Sequence, residues 1–456
     1  MINKKNFIPI IEQNPQKVNL ARAIAEELDD KYDLDLKSVV YGNGDWTDGL
    51  RKKVPPNLCL YPFTHFQLDP DGRARPCCKY KVGDASWQQN VPKLPDVDIG
   101  ELWDQEEFQL LRDQFLRNMR PSGCKACWDE EAAGIKSMRM QREECGTQHP
   151  FATFFHHIPR TYPKTLDLKL SNLCNLKCRI CTPFLSSQWI KETKDLNVID
   201  MGFQESFVNN SREKFSANPN NEEILKQWAP TIDFLEFYGG EPLMQQEHNK
   251  ILRIVTEHGK PSNTGLYYNT NGTICDEEFF KLWASFKEVI INFSIDDIGE
   301  RFEYQRKNAK WNEVLKNIEM YKEYSKKYNV NMTLKFYTTV GILNVFYLDE
   351  FINYVKQYNI PVMLNMVHYP HHFSIVNLPD KVKHVIKEKL LTIDEQNILD
   401  PWSPKIENII NFMYGNTIDD KIYKLFFEKV NIHDAYRNES FETTFPEFYK
   451  ILKSHE

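Results

Sequence analysis

The stretch Leu173-Cys174-Asn175-Leu176-Lys177-Cys178-Arg179-Ile180-Cys181-Thr182 decides how this chain is read. Three thiols fall within eight residues, spaced C-x3-C-x2-C, directly after a strand-like run, Thr165–Leu170. Thiolates are the usual ligands of iron–sulfur clusters; three of them hold three irons of a cubane and leave the fourth iron open to another ligand. A zinc site normally wants four donors, and His156 or His157 could complete one, so a zinc reading stands beside the cluster reading.

Downstream, β-rich runs alternate with longer, mostly helical intervals: Thr165–Leu170, Asp233–Tyr238, Gly265–Asn269, Val289–Ile295, Met332–Val340 and Pro361–Val367. This order predicts parallel β/α construction, an α/β fold with a partial (β/α)6 TIM-like barrel. Barrels of this kind build their sites at the C-terminal ends of the strands, where Cys174, Gly239, Asn271 and Ser294 all fall. Between strands, Asn312–Tyr328 sets Val314, Ile318 and Tyr321 at helical spacing, a face that should pack on the sheet. The Asn- and Ser-rich stretch Asn209–Glu223 reads as a loop. After Pro379 the chain reads as polar helices, including Asp380–Leu391 and Ile422–Val430. The expected domains are 1–162, a small N-terminal domain; 163–378, the partial barrel; and 379–456, a helical C-terminal segment.

The N-terminal part carries a second cysteine set. Cys59, twelve residues, Gly72, four residues and Cys77 give C-x12-G-x4-C, and Cys124 and Cys127 add C-x2-C. Four thiolates suffice for a fully ligated cluster or for a structural zinc, and thiolate donors alone do not separate the two. Cys78 competes with Cys77; spacing favours Cys77. Helices are expected at Val18–Lys31 and Glu106–Met119, and Trp103, Phe108 and Phe115 are expected to pack this domain.

The 456 residues suffice for two or three domains. With 57 Lys+Arg against 64 Asp+Glu the net charge is only −7, so no global field draws the chain to nucleic acid or to an acidic membrane. Met1–Gln13 lacks the apolar core of a signal peptide and no apolar run reaches membrane-spanning length, which predicts a cytoplasmic protein. Ten cysteines in a reducing compartment read as metal ligands or redox groups rather than as disulfides; Cys145 and Cys275 lack an obvious companion.

The Cys174–Cys181 run resembles the signature of the radical S-adenosylmethionine (SAM) superfamily, over about Thr165–Val367. Gly239-Gly240-Glu241-Pro242 resembles that family's glycine-glycine-glutamate-proline turn. The resemblance implies a 4Fe–4S cluster on Cys174, Cys178 and Cys181, with SAM chelating its open iron. It also implies that Gly239 and Gly240 approach the SAM amino group and that Glu241 accepts from it. Similar proteins place polar groups near SAM at the counterparts of Asn271, Ser294 and Asp296; by their own chemistry these are also ordinary turn and strand-end residues. Val340–Asn344 resembles an adenine-flanking segment and brings Asn344 into the candidate set. Ile180 stands where the superfamily often has an aromatic residue, and an aliphatic side chain still packs on adenine.

The upstream set resembles a twitch or SPASM accessory domain, which usually follows the barrel but here precedes it. That implies one auxiliary 4Fe–4S cluster on Cys59, Cys77, Cys124 and Cys127. The implied activity is reductive cleavage of SAM to a 5′-deoxyadenosyl radical that abstracts hydrogen from a substrate. Oxidative modification of a peptide or protein side chain is the use most common among SPASM proteins; dehydrogenation or rearrangement of a small metabolite is the alternative. The implied partners are that substrate and an electron donor such as flavodoxin or ferredoxin, with neither membrane nor nucleic acid. A non-catalytic iron–sulfur or zinc protein is the reading from another class. Tyr304, Arg306, His368, Tyr369, His371 and His372 lie near strand ends as substrate candidates; no general acid or base is named.

Overall fold

The computed structural model describes residues 55–81, 91–132, 137–140, 162–196, 214–415 and 420–454. The expected Val18–Lys31 helix, the Met1–Gln13 stretch, Cys145, His156 and His157 lie outside the described residues. The chain divides into two compact units, residues 1–68, 73–167 and 218–232 in the first, and 69–72, 168–217 and 233–456 in the second.

In the first unit, β1 (His65–Leu68) pairs antiparallel with β2 (Ala74–Arg75), and β3 (Thr165–Leu168) closes it. Helix Ile99–Trp103 starts at a capping box: Asp98 accepts the Glu101 N–H while Glu101 accepts the Asp98 N–H, satisfying two donors the helix cannot pair internally. Its Trp103 packs at a tilt, 5.4 Å from Phe108 of helix Glu106–Leu116, and Phe66 meets Trp228 at 5.6 Å. Trp103, Phe108 and Phe115 are all buried. The loop expected over Asn209–Glu223 is partly a helix, Asn220–Trp228. Asn218 accepts the Asn220 N–H and buried Asn221 accepts the Ile99 N–H, so these asparagines act as caps and anchors rather than as loop formers.

The second unit opens with β4 (Lys177–Cys178) and continues with β5 (Phe234–Phe237), β6 (Gly265–Thr270), β7 (Glu288–Ser294), β8 (Arg306–Lys307), β9 (Met332–Val340) and β10 (Val362–Met366). Strands β5, β6, β7, β9 and β10 pair in that order, every pair parallel, with registers such as Tyr268↔Ile291 and Ser294↔Tyr337. This is the partial TIM-like barrel. Helices cover the strands, which is why the strands are apolar on the covered face: Leu266, Tyr268, Val289, Ile291 and Phe293 are fully buried. Helix Trp311–Lys327 buries Val314, Ile318 and Tyr321, with the Tyr321 ring 5.0 Å from Phe293 of β7. The pair β4–β8 is separate and antiparallel, setting Cys178 opposite Arg306. Helices Asp380–Leu390, Ile406–Tyr414, Asp420–Arg437 and Pro446–Lys453 form the C-terminal part of this unit. Among the described residues no helix is long and apolar enough to cross a membrane.

Candidate active site

Parallel strands deliver their C-terminal ends to one rim, and there a cavity of about 590 Å³ opens. Its wall holds Cys174, Cys178, Ile180 and Cys181 from the cysteine loop, Gly239 and Gly240 after β5, Asn271 after β6, and Ser294 at the end of β7. Thus seven of the ten residues expected around the first cluster and SAM face one space. The other three, Glu241, Asp296 and Asn344, are buried and bonded within the protein.

The cysteine loop is wound by its own polar groups. Ser187 accepts the Cys174 N–H at 3.3 Å, Asn172 donates its amide to Pro183 O at 2.8 Å, and Ser186 donates to Leu176 O at 2.6 Å. The Cys181 N–H donates to Cys178 O at 3.0 Å. Burial, with the neighbouring Cys178 next, pushes the Cys174 thiol up to about 12; Cys181 is raised too, by burial and then by Cys178 and Cys174. Burial also raises Cys178, opposed by the Arg306 guanidinium, whose Nη1 lies 3.6 Å from its Sγ. Buried thiols crowded so that each resists ionising beside the others form a donor set that bound metal compensates, since metal binding takes the thiolate form.

The Gly-Gly turn follows from close approach. Gly239 and Gly240 both have positive φ, +65° and +58°. A Cβ on Gly240 would stand 2.3 Å from Leu173 O, so only glycine lets the turn lie against the cysteine loop. The contact is closed by Gly240 N–H to Leu185 O at 3.1 Å and Glu241 N–H to Leu173 O at 2.8 Å. The Glu241 carboxylate accepts from the Thr270 hydroxyl and the Asn271 N–H, both at 2.8 Å, and from the Leu243 N–H at 3.3 Å. Burial outweighs these donors and raises its pKa to about 7. Asn271 in turn donates its amide to Asn175 of the cysteine loop at 2.8 Å.

Asp296 and Asn344 tie strand ends together. Asp296 accepts the Thr339 N–H at 2.9 Å and pairs with Arg306 at 2.7 Å, while Asn344 donates to Asp296 O and accepts the Gly341 N–H. Of the substrate candidates, Arg306 and Tyr369 line the cavity, Tyr369 with more than half its surface exposed. Tyr304 is buried and donates to Asp434; His368 packs on Phe412, His371 on Tyr369 and His372 on Phe373. Phe184 and Tyr238 also line the cavity without having been singled out from the sequence. Their only sequence signal was adjacency to the motifs.

In the first unit Cys59, Cys77 and Cys127 are buried and Cys124 is half-buried. Burial raises Cys59, with Cys77 the next cause and Cys124 also contributing; burial and then Cys127 push Cys124 up to about 12. Cys77 is likewise raised to about 12, by burial and then by Cys78. Cys78 itself is exposed, its thiol 3.8 Å from Met138 Sδ. Buried Arg139 is held by Glu131 at 2.8 Å and donates to Leu58 O at 2.8 Å, a fixed cation that favours the thiolates of Cys59 and Cys124.

Among the described residues, no three sulfurs of either set all lie within 4.8 Å of one another. Ligands about 2.3 Å from a single tetrahedral zinc would stand about 3.8 Å apart.

The family model of the radical SAM superfamily matches residues 168–345, and that of the SPASM iron–sulfur cluster-binding domain matches residues 59–128. No curated protein matches the chain. Among solved structures, native anSMEcpe with bound AdoMet and Cp18Cys peptide is 19% identical over 50% of this chain, with a TM-score of 0.34; the match spans 58% of that chain's length. SuiB of Streptococcus suis bound to S-adenosylmethionine is 11% identical, covering 67% of this chain and 64% of that one, with a TM-score of 0.30. TsrM, a radical S-adenosylmethionine methyltransferase from Kitasatospora setae, is 12% identical over 34% of this chain and 29% of its own, with a TM-score of 0.25. The chain thus carries a radical SAM superfamily domain over residues 168–345, preceded by a SPASM iron–sulfur cluster-binding domain over residues 59–128.

Proposed function

We propose that Cys174, Cys178 and Cys181 hold the SAM-binding 4Fe–4S cluster, that Cys59, Cys77, Cys124 and Cys127 hold one auxiliary cluster, and that the enzyme oxidatively modifies a peptide or protein side chain. The observation that carries the first assignment is the cavity shared by Cys174, Cys178 and Cys181 with the Gly239-Gly240 turn. When bound, the reduced cluster supplies one electron to SAM, yielding methionine and a 5′-deoxyadenosyl radical that takes hydrogen from an unactivated carbon.

The chain's own residues bind, orient and shield. Arg306 places a buried cation beside Cys178 and holds Asp296, lowering the cost of a thiolate in a dry wall. Gly239 and Gly240 offer backbone without side chains to the amino-acid end of SAM, and Ile180 offers an apolar face for its adenine. Leu176, Phe184 and Leu185 line the same wall and exclude water from a reactive centre. The SPASM match over 59–128 supports a peptide substrate; a cluster held by Cys59, Cys77, Cys124 and Cys127 would be able to take one electron from the substrate radical as the oxidised product forms.

Anaerobic reconstitution followed by dithionite, SAM and chromatography tests this reading. The wild type should hold about eight irons and eight sulfides and release 5′-deoxyadenosine; a Cys174/Cys178/Cys181→Ala variant should keep about four irons and release none. A fully loaded wild type that makes no 5′-deoxyadenosine sinks the proposal. Substrate class is read by which fraction, a precursor peptide encoded beside the gene or a small-metabolite extract, loses hydrogen to the nucleoside.

A further inference from the structure

We propose that the C-terminal segment His433–Glu439 is an outer clamp on the cysteine loop and positions Cys178 for its cluster, a role that rests on the ligand assignment above. The family match ends at residue 345, so these residues lie outside the matched core. Both residues flanking Cys178 are basic; Arg179 turns its charge into this segment, and Lys177 turns its charge onto Glu192, which the segment holds. Neither arginine nor lysine is buried without a partner, so what holds them also holds the backbone between them.

Arg179 is buried, stacked 3.7 Å over the Tyr304 ring, and donates to Glu439 at 2.6 Å and to Asp434. Asp434 is itself fixed, accepting the Tyr304 hydroxyl at 2.8 Å and the Phe441 N–H at 2.6 Å. Glu439 also pairs at 2.8 Å with Lys307, which lies opposite Lys177 in the β4–β8 pair. On the other flank, Lys177 pairs at 2.6 Å with Glu192, and Glu192 is held by His433 at 2.8 Å and Arg437 at 2.9 Å. Between the two flanks, the Trp189 indole donates to Cys178 O at 3.0 Å, with Arg437 4.5 Å over its ring and His433 edge-on at 5.1 Å. Lys177, the Cys178 carbonyl and Arg179 are therefore each tied, directly or through one residue, to the same helix end.

Groups that orient metal ligands typically alter metal affinity about 10- to 100-fold when removed. Asp434→Asn and Glu439→Gln, made in the full chain, remove charge from the clamp without opening a void. In the cluster-free protein, hydrogen exchange should rise about tenfold at Arg179 and Cys181, while the amides of β6 and β7 keep their rates. In the reconstituted protein, a chelator should strip the SAM-binding cluster about tenfold faster, and Asp434→Glu should restore both readouts. Glu439→Gln, at a less buried site, keeps the test open if Asp434→Asn fails to fold. Unchanged loop exchange in folded variants, or a rise shared equally by β6 and β7, overturns the clamp whatever the cysteine variants do. Faster loop exchange with wild-type cluster retention overturns the positioning role. Iron fully retained in Cys178→Ala overturns the ligand assignment instead, and the two failures are thereby told apart.

Discussion

Replacing Gly240 with alanine measures how closely the Gly-Gly turn is docked on the cysteine loop. At φ +58° an L-residue costs about 1–2 kcal/mol. The added Cβ would also lie 2.3 Å from Leu173 O and 3.0 Å from Ser171 O, both backbone atoms with no rotamer to escape into. The turn must retreat, stretching Gly240 N–H to Leu185 O and Glu241 N–H to Leu173 O. Each bond contributes about 0.5–1.5 kcal/mol, which brings the expected loss to about 2–5 kcal/mol. Gly239→Ala is the internal comparison: its φ is also positive, at +65°, and its Cβ would meet Lys169 Cβ at 2.9 Å, a tight contact but a longer one than the 2.3 Å at Gly240. Its expected loss is therefore the conformational cost of about 1–2 kcal/mol plus a small shift at that contact, less than at Gly240. Urea unfolding of both cluster-free proteins gives the two values, and calorimetric titration of SAM into the reconstituted proteins gives the effect on binding. Gly240→Ala should lose about twice as much stability and bind SAM more weakly. An equal or smaller loss at Gly240 would refute the argument that the docking of backbone on backbone demands glycine there.

Arg306→Met should destabilise by about 3–5 kcal/mol, because it leaves buried Asp296 without its ion partner, and adding Asp296→Asn should recover part of that; strictly additive losses in urea would count against the pair. Burial alone would raise the Glu192 carboxyl, but His433, Arg437 and Lys177 together hold it down to about 2. The unfolded chain then takes up the proton first, so stability present above about pH 4.5 falls as pH drops towards 2, by up to about 3 kcal/mol. Glu192→Gln should flatten that slope in stepped-pH unfolding of the cluster-free protein; a retained slope would place the titration elsewhere. Cys77→Ser should lower the iron content by about four and Cys78→Ser should leave it unchanged; the reverse result would exchange their roles.

Much of the core was legible because its chemistry is local. The six apolar runs announce themselves because a strand covered by helices must be hydrophobic wherever it is covered, and the helix over Trp311–Lys327 is readable because Val314, Ile318 and Tyr321 recur at the helical period. The Asn220–Trp228 helix was not legible: its start depends on Asn218 capping and on Asn221 reaching Ile99, 122 residues away, and composition alone assigns such residues to loops. The polar residues near the SAM region divide for a similar reason. Asn271 and Ser294 face the cavity, whereas Asp296 and Asn344 have turned onto neighbouring strand ends, a choice of side-chain direction that depends on register between strands far apart in sequence.

By itself, then, the sequence determined the two thiolate sets and the alternation of strands and helices: ligand spacing and hydrophobic period are properties of contiguous residues. Tertiary structure alone decided what surrounds Cys178. Arg306 reaches it only because β8 pairs with β4, Arg179 finds its counter-charges more than 200 residues onward in Asp434 and Glu439, and Glu192, which pairs with Lys177, is itself held from as far away by His433 and Arg437. A buried charge must be paired, but which distant residue pairs it is settled only when the chain has folded.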